Sequence, residues 1–187
     1  MGLSQNLLAL CKNMLPGDKQ RGRPDAATLK RSISTAYYSV FSLLVHAAAS
    51  MLAGNGSERK ELRGYVARAF DHYEMAEACK GFAGGNLNKG LKPCLQLPIS
   101  TDLKDIAATF QSLRQSRHDA DYSILQKPNK TDARQAIQDA ERVFTLWEKI
   151  KGSEDPHYQQ SCPPWLTDPP GGPTMTDAIA LRPRAAG

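Results

Sequence analysis

The sequence predicts an all-α fold: an antiparallel bundle of about five helices in residues 1–150, followed by a disordered, proline-rich tail over 151–187. Three observations carry this expectation. Apolar residues recur at three- and four-residue spacing over segments longer than ten residues. Residues that start and stop helices punctuate those segments. No segment alternates with period two for long enough to make a strand.

The first helix is expected over residues 3–14, closed by Pro16-Gly17. The second and longest covers 25–53. Asp25 follows Pro24 and can cap it, and Leu29, Ile33, Ala36, Tyr37, Val40, Phe41, Leu44 and Ala47 keep its period. Gly54-Asn55-Gly56 then ends it with residues that tolerate positive φ.

A third helix is expected from a Ser57 cap to about Lys80, with Leu62, Tyr65, Val66, Ala69, Phe70 and Tyr73 on one side. Residues 81–100, with Gly84-Gly85-Asn86, Pro93 and Pro98, read as a loop. Ser100 caps a fourth helix along Leu103, Ile106, Ala107, Phe110 and Leu113, which the sequence packs antiparallel to the second. Lys127-Pro128-Asn129 breaks the chain. Thr131 opens a fifth helix along Ala133, Ala136, Ile137, Ala140, Val143, Phe144 and Trp147.

Beyond Lys151 the composition shifts, with seven of the twelve prolines in the last 37 residues. Proline removes backbone donors, and so few apolar residues cannot offset the entropy of ordering, so disorder is expected there. Trp165 is the one residue of that tail suited to anchoring locally or meeting a partner.

Composition excludes several classes. No run of 18 apolar residues occurs, and residues 40–53 are interrupted by Ser42, His46 and Ser50, so no membrane span is expected. The first residues lack a basic region and a cleavage site, which points to a cytoplasmic chain. Cys11, Cys79, Cys94 and Cys162 form no CxxC and have no histidine at ligand spacing. That excludes a zinc knuckle and a disulfide scaffold, and no metal or cofactor is expected.

The net charge of +5 is uneven: the tail holds three Lys/Arg against four Asp/Glu, leaving 21 against 15 in residues 1–150. Part of the excess is one basic run, Lys12, Lys19, Arg21, Arg23, Lys30 and Arg31, which suits either a solvated face or a nucleic-acid contact.

The pattern breaks in the fourth helix. At 100° per residue, Leu103, Ala107 and Phe110 point within about 40° of Arg114. The next turns of that face carry Arg117, His118 and Asp121, with Tyr122 at the helix end. Charges buried without partners are costly, so this face must meet water, a carboxylate or a phosphate. One solution is an internal network, with an arginine paired to Asp121 and to Tyr or Ser hydroxyls of the long helix. The other is a phosphodiester or nucleotide site. Arginine grips phosphate oxygens bidentately, and a histidine moves a proton near neutral pH.

Tyr37 and Tyr38 point about 100° apart, so one belongs to the core and the other can reach a polar cleft. Arg31 is the best outside candidate to join that cleft. His46, among alanines, reads as a packing residue, and His72 reads as bonding locally to Asp71 or Glu74.

Two segments carry a family resemblance. Leu29-Lys-Arg-Ser-Ile-Ser-Thr-Ala-Tyr-Tyr-Ser-Val-Phe-Ser-Leu-Leu and Leu113-Arg-Gln-Ser-Arg-His-Asp-Ala-Asp-Tyr resemble the two best-marked helices of bacterial HEPN proteins. The variety concerned has an Arg…Ala-Tyr-Tyr long helix and an Arg…Ala-Asp-Tyr later helix, and the resemblance spans roughly residues 25–150. Nuclease members of that superfamily are metal-independent endoribonucleases. Their motif is an arginine followed by four to six residues and then a histidine, with a polar residue directly after the arginine.

In such members two copies of the motif meet across a homodimer. The resemblance implies Arg114, Gln115 and His118 for these positions. Arg117, Asp121, Tyr122, Tyr38 and Arg31 would then bind substrate, an RNA or a nucleotide. Here three residues separate Arg114 from His118, one fewer than in the motif, and relatives with the Ala-Asp-Tyr helix often lack the histidine. Two functions follow: a toxin-like endoribonuclease, or a non-catalytic module that binds RNA, nucleotide or a partner protein. The family's toxin role implies a further partner, a nucleotidyltransferase-type antitoxin.

Overall fold

A computed structural model describes residues 2–15, 24–84, 98–123 and 128–153. The expected loop around Pro93 and the expected disordered tail beyond residue 153 fall on residues outside these, while Lys151 and Gly152, expected in the tail, continue the last helix. Among the described residues there are six α-helices, one 3-10 turn and no strand. In order they are α1 (Leu3–Met14), α2 (Ala26–Ala53), the turn Ser57–Arg59, α3 (Lys60–Arg68), α4 (His72–Gly84), α5 (Thr101–Tyr122) and α6 (Lys130–Gly152).

α2 is the central element. Asp25 caps it by accepting the Thr28 N–H at 2.6 Å. Gly54, at φ 81°, ends it in the left-handed region that glycine enters without strain. Arg63 of α3 then donates to the carbonyls of Gly54 and Gly56 at 2.7 and 2.8 Å, satisfying acceptors that the helix end leaves over. α2 is long and apolar enough to cross a membrane. Its length is instead wrapped by α1, α3, α5 and α6.

The expected third helix is two helices. Beyond α3 the Ala69 and Phe70 N–H groups bond to Val66 and Ala67, three residues back. Asp71 then accepts from the Tyr73 and Glu74 N–H groups at 2.8 Å each. A carboxylate placed to accept backbone donors competes with helix continuation and starts a new helix.

The expected loop also begins later than predicted. α4 runs on through Gly81 to Gly84, because Phe82 and Ala83 pack against the core there. Ser57 lies in the 3-10 turn and makes no cap bond. The last helix is capped by Asn129 in place of Thr131, through a reciprocal box with Asp132.

The core joins Leu29, Ile33, Ala36, Tyr37 and Val40 of α2 to Ile106, Phe110 and Leu113 of α5. Ala133, Ala136, Ala140 and Val143 of α6 complete it, their small side chains allowing close approach. α2 and α5 run antiparallel, as expected: Ser34 bonds Asp121 and Tyr38 bonds Arg117. α5 and α6 do likewise, through Asp105–Arg142 and Asp102–Lys149, both at 2.7 Å.

Lys12 of α1 pairs with Glu141 of α6, and Gln111 of α5 donates to the Ala76 carbonyl of α4. Cys11 and Cys79 are free and buried, and burial pushes their thiols up to about 11 and about 12, which keeps them unreactive.

Phe110 is fully buried where α2 meets α5. Phe110→Ala should lower unfolding free energy by about 3–5 kcal/mol in urea titration. A loss under about 1 kcal/mol would mean that this ring is not a packing centre.

Candidate functional site

The inner line of α5 runs through Ile106, Phe110 and Leu113, all buried. One turn beyond Leu113 that line reaches Arg117. The expected apolar stripe is therefore present, with Ala107 buried as well, but Arg117 and not Arg114 continues it inward. Arg117 and Asp121 have side chains only 25% and 31% exposed, whereas His118 is 64% exposed. Arg114 lies about 60°, and His118 about 100°, around the helix from Arg117, and both are exposed.

Arg117 is held from three sides. Its Nη2 donates to Tyr38 Oη at 3.1 Å, and its Nε sits 2.9 Å from Asp121 Oδ2. That carboxylate lies off the N–H direction, so the buried Nε makes no hydrogen bond. The guanidinium carbon is 5.7 Å from the Tyr38 ring centre and 5.4 Å from that of Tyr122, within cation–π range.

Burial works against the charge of Arg117. The hydrogen bond from Arg117 to Tyr38, with Tyr38, Asp121 and Tyr122 nearby, outweighs it and pushes the pKa up. Asp121 is anchored in turn by Ser34 Oγ, which donates to its Oδ1 at 2.7 Å. Arg114 has no hydrogen-bond or ion-pair partner among the described residues.

A residue that sequence reasoning placed elsewhere completes the cluster. His72, the first residue of α4, bonds to Tyr37 and not to Asp71 or Glu74: its Nδ1 lies 2.8 Å from Tyr37 Oη. Its ring centre is 3.9 Å from that of Phe41 and 5.6 Å from that of Tyr38. Burial lowers its pKa, as does the charge of Arg117 and, less, of Arg114, while Asp71 opposes them. Burial also pushes the Tyr37 phenol up to about 12, so it stays protonated. The available signal was the buried Tyr37 hydroxyl, which needs a partner.

The other expected residues lie at the margins. His118 Nδ1 is 3.7 Å from Asp119, whose carboxylate accepts from Gln115 at 2.8 Å, and its ring is 5.2 Å from that of Tyr122. Arg31 does not reach Asp121; with Tyr38 and Thr35 it lines an apolar groove between α1 and α2. His46 is exposed on that groove's rim and is not a packed residue. The far side of α5 is acidic, with Asp119, Asp132 and Asp139 around a cavity shared with α6. Among the described residues no group of three His, Cys, Asp or Glu is arranged to hold a metal ion.

No family model matches the chain, and no curated protein or solved structure is significantly similar to it.

This end of α5 therefore gathers two guanidiniums and two imidazoles, with Asp121 against Arg117, Asp119 beside His118 and Asp71 beside His72. Arg114 is the cation here that no carboxylate among the described residues engages, which suits an anion.

Two outcomes follow from the position of His72. Arg117→Gln removes the larger cationic influence, so the His72 pKa should rise toward about 6.5 in an NMR titration. An unchanged value would mean that Arg117 does not act on the ring. The folded pKa is lowered, so on acidification the unfolded chain takes up this proton first. Stability should therefore fall as pH drops from about 6.5 toward the folded value, and His72→Asn should flatten that part of a melting-temperature profile.

Proposed function

We propose that this chain is a HEPN-like, RNA-targeting protein that binds RNA phosphate with Arg114 and Arg117 and cleaves the strand without a metal. The observation that carries the reading is the pairing of a partly buried arginine, positioned by Tyr38 and Asp121, with a second arginine left unpartnered beside it. A positioned guanidinium needs no reorganisation to receive a phosphate oxygen. An RNA strand supplies its own nucleophile, the 2′-hydroxyl, so proton transfer by histidine suffices. His118 takes part in that proton transfer, and two copies of the chain joined as a homodimer would bring two such faces together.

One observation favours the non-catalytic reading, in which the same face only holds RNA, nucleotide or a protein. Among the described residues the His118 ring has no hydrogen bond: it meets the Tyr122 ring at 5.2 Å and lies 3.7 Å from Asp119, which is engaged by Gln115.

The test uses a labelled single-stranded oligoribonucleotide, with anisotropy for binding and gel analysis for cleavage. Wild type should bind, and Arg114→Ala and Arg117→Ala should each reduce the dependence of log affinity on log salt by about one phosphate contact. Cleavage should persist in chelator. His118→Ala should lower its rate by about 10²–10⁴ while the melting temperature stays nearly unchanged. Wild-type protein that binds but never cuts leaves the binding-module reading, and protein that does not bind the oligonucleotide contradicts both.

A further inference from the structure

We propose that His72 is the general base of this site, an assignment that rests on the reading of Arg114 and Arg117 as its phosphate grip. General-base catalysis needs an imidazole whose ring is fixed, whose reactive nitrogen is open, and which is neutral when substrate arrives. His72 meets each condition through a different neighbour.

Orientation comes from α2. Tyr37, itself buried, engages Nδ1 at 2.8 Å, and Phe41 stacks at 3.9 Å between ring centres. The main chain is fixed too, since Asp71 caps the first turn of α4. Nε2 is left as the ring nitrogen with no partner among the described residues.

Neutrality comes first from partial burial of the ring and then from α5, where Arg117 and Arg114 disfavour a further positive charge against the opposing Asp71 on α4 itself. Tyr38 stands edge-on to the imidazole and accepts from Arg117, so the ring and the guanidinium share one intermediary. On the other flank of Arg117, Tyr122 links it to His118. A central guanidinium thus has an imidazole on each side.

The proton balance divides between them. With Nδ1 carrying the ring proton and donating it to Tyr37 Oη, the free lone pair on Nε2 of His72 takes the proton of the ribose 2′-hydroxyl as O2′ bonds to phosphorus. The bond from phosphorus to O5′ breaks, and His118, entering as the imidazolium, protonates the leaving oxygen. The products are a 2′,3′-cyclic phosphate and a 5′-hydroxyl. Solvent then takes the proton from His72 and returns one to His118. No oxidant, reductant or further co-reactant is needed.

The experiment is a pH–rate profile of the full chain on the labelled oligoribonucleotide, with binding followed in parallel. A base must be deprotonated, so its pKa sets the acidic limb, and the acid sets the alkaline limb. His72→Asn should slow cleavage by about 10²–10⁴, abolish the acidic limb, and leave affinity within about two-fold. His118→Ala should abolish the alkaline limb instead.

Tyr37→Phe keeps the imidazole but releases Nδ1, and should slow cleavage by about ten-fold with binding intact. If His72→Asn or, should that variant not fold, Tyr37→Phe cuts at the wild-type rate with both limbs in place, His72 is not the base. Wild type that binds without cutting also overturns the assignment while leaving the arginine reading in place. Loss of binding by wild type overturns both.

Discussion

Arg117 occupies a position that the geometry of α5 assigns to the interior, and the polar chemistry of this fold is arranged around that fact. A guanidinium on the same line as Ile106, Phe110 and Leu113 is partly desolvated, and a partly desolvated charge must be compensated where it stands. Tyr38 supplies a hydroxyl, Asp121 a carboxylate, and Tyr122 a ring face. Ser34 then fixes the carboxylate from α2. The pairings Ser34–Asp121 and Tyr38–Arg117 span the two helices in antiparallel register, so the network that holds the charge also sets how α2 lies on α5.

The remaining elements determine what this network faces. α6 packs against α2 and α5 through alanines, and the acidic cavity it shares with α5 leaves the opposite side of α5 as the electropositive one. The break between α3 and α4 puts His72 at a helix start, capped by Asp71, where its ring can reach Tyr37. A single continuous helix through residues 57–80 would have no such start. Local backbone chemistry at Asp71 thereby places a titratable group in a cluster formed by α2 and α5.

Much of this was legible in the sequence, because the signals for it are local. The period of α2, its Asp25 cap, the Ser100 cap of α5 and the all-α class rest on residues within a turn or two of one another. The polar end of α5 was legible as well, since charges cannot continue an apolar stripe unexplained. Which polar residue follows the stripe inward was not. Ile106, Ala107, Phe110 and Leu113 are all buried, and only packing against α2 and α6 decides which of Arg114, Arg117 and His118 continues them. That packing separates Arg117, which is held, from His118, which is solvated. The place of His72 was hidden for a different reason: its partner Tyr37 is 35 residues away, beyond the reach of local pattern.

The central claim is that the end of α5 where Arg114 and Arg117 meet Tyr38 and His72 is a phosphate-binding face. NMR titration of the isotopically labelled chain with a short single-stranded oligoribonucleotide tests it most directly, with the arginine Nε–Hε and histidine ring signals as reporters. The account predicts saturable shifts at Arg114, Arg117 and His72, with backbone changes centred on the last two turns of α5 and on α2 around Tyr38. Saturable shifts confined to other surfaces, such as the basic residues flanking α1 or the groove between α1 and α2, would contradict it.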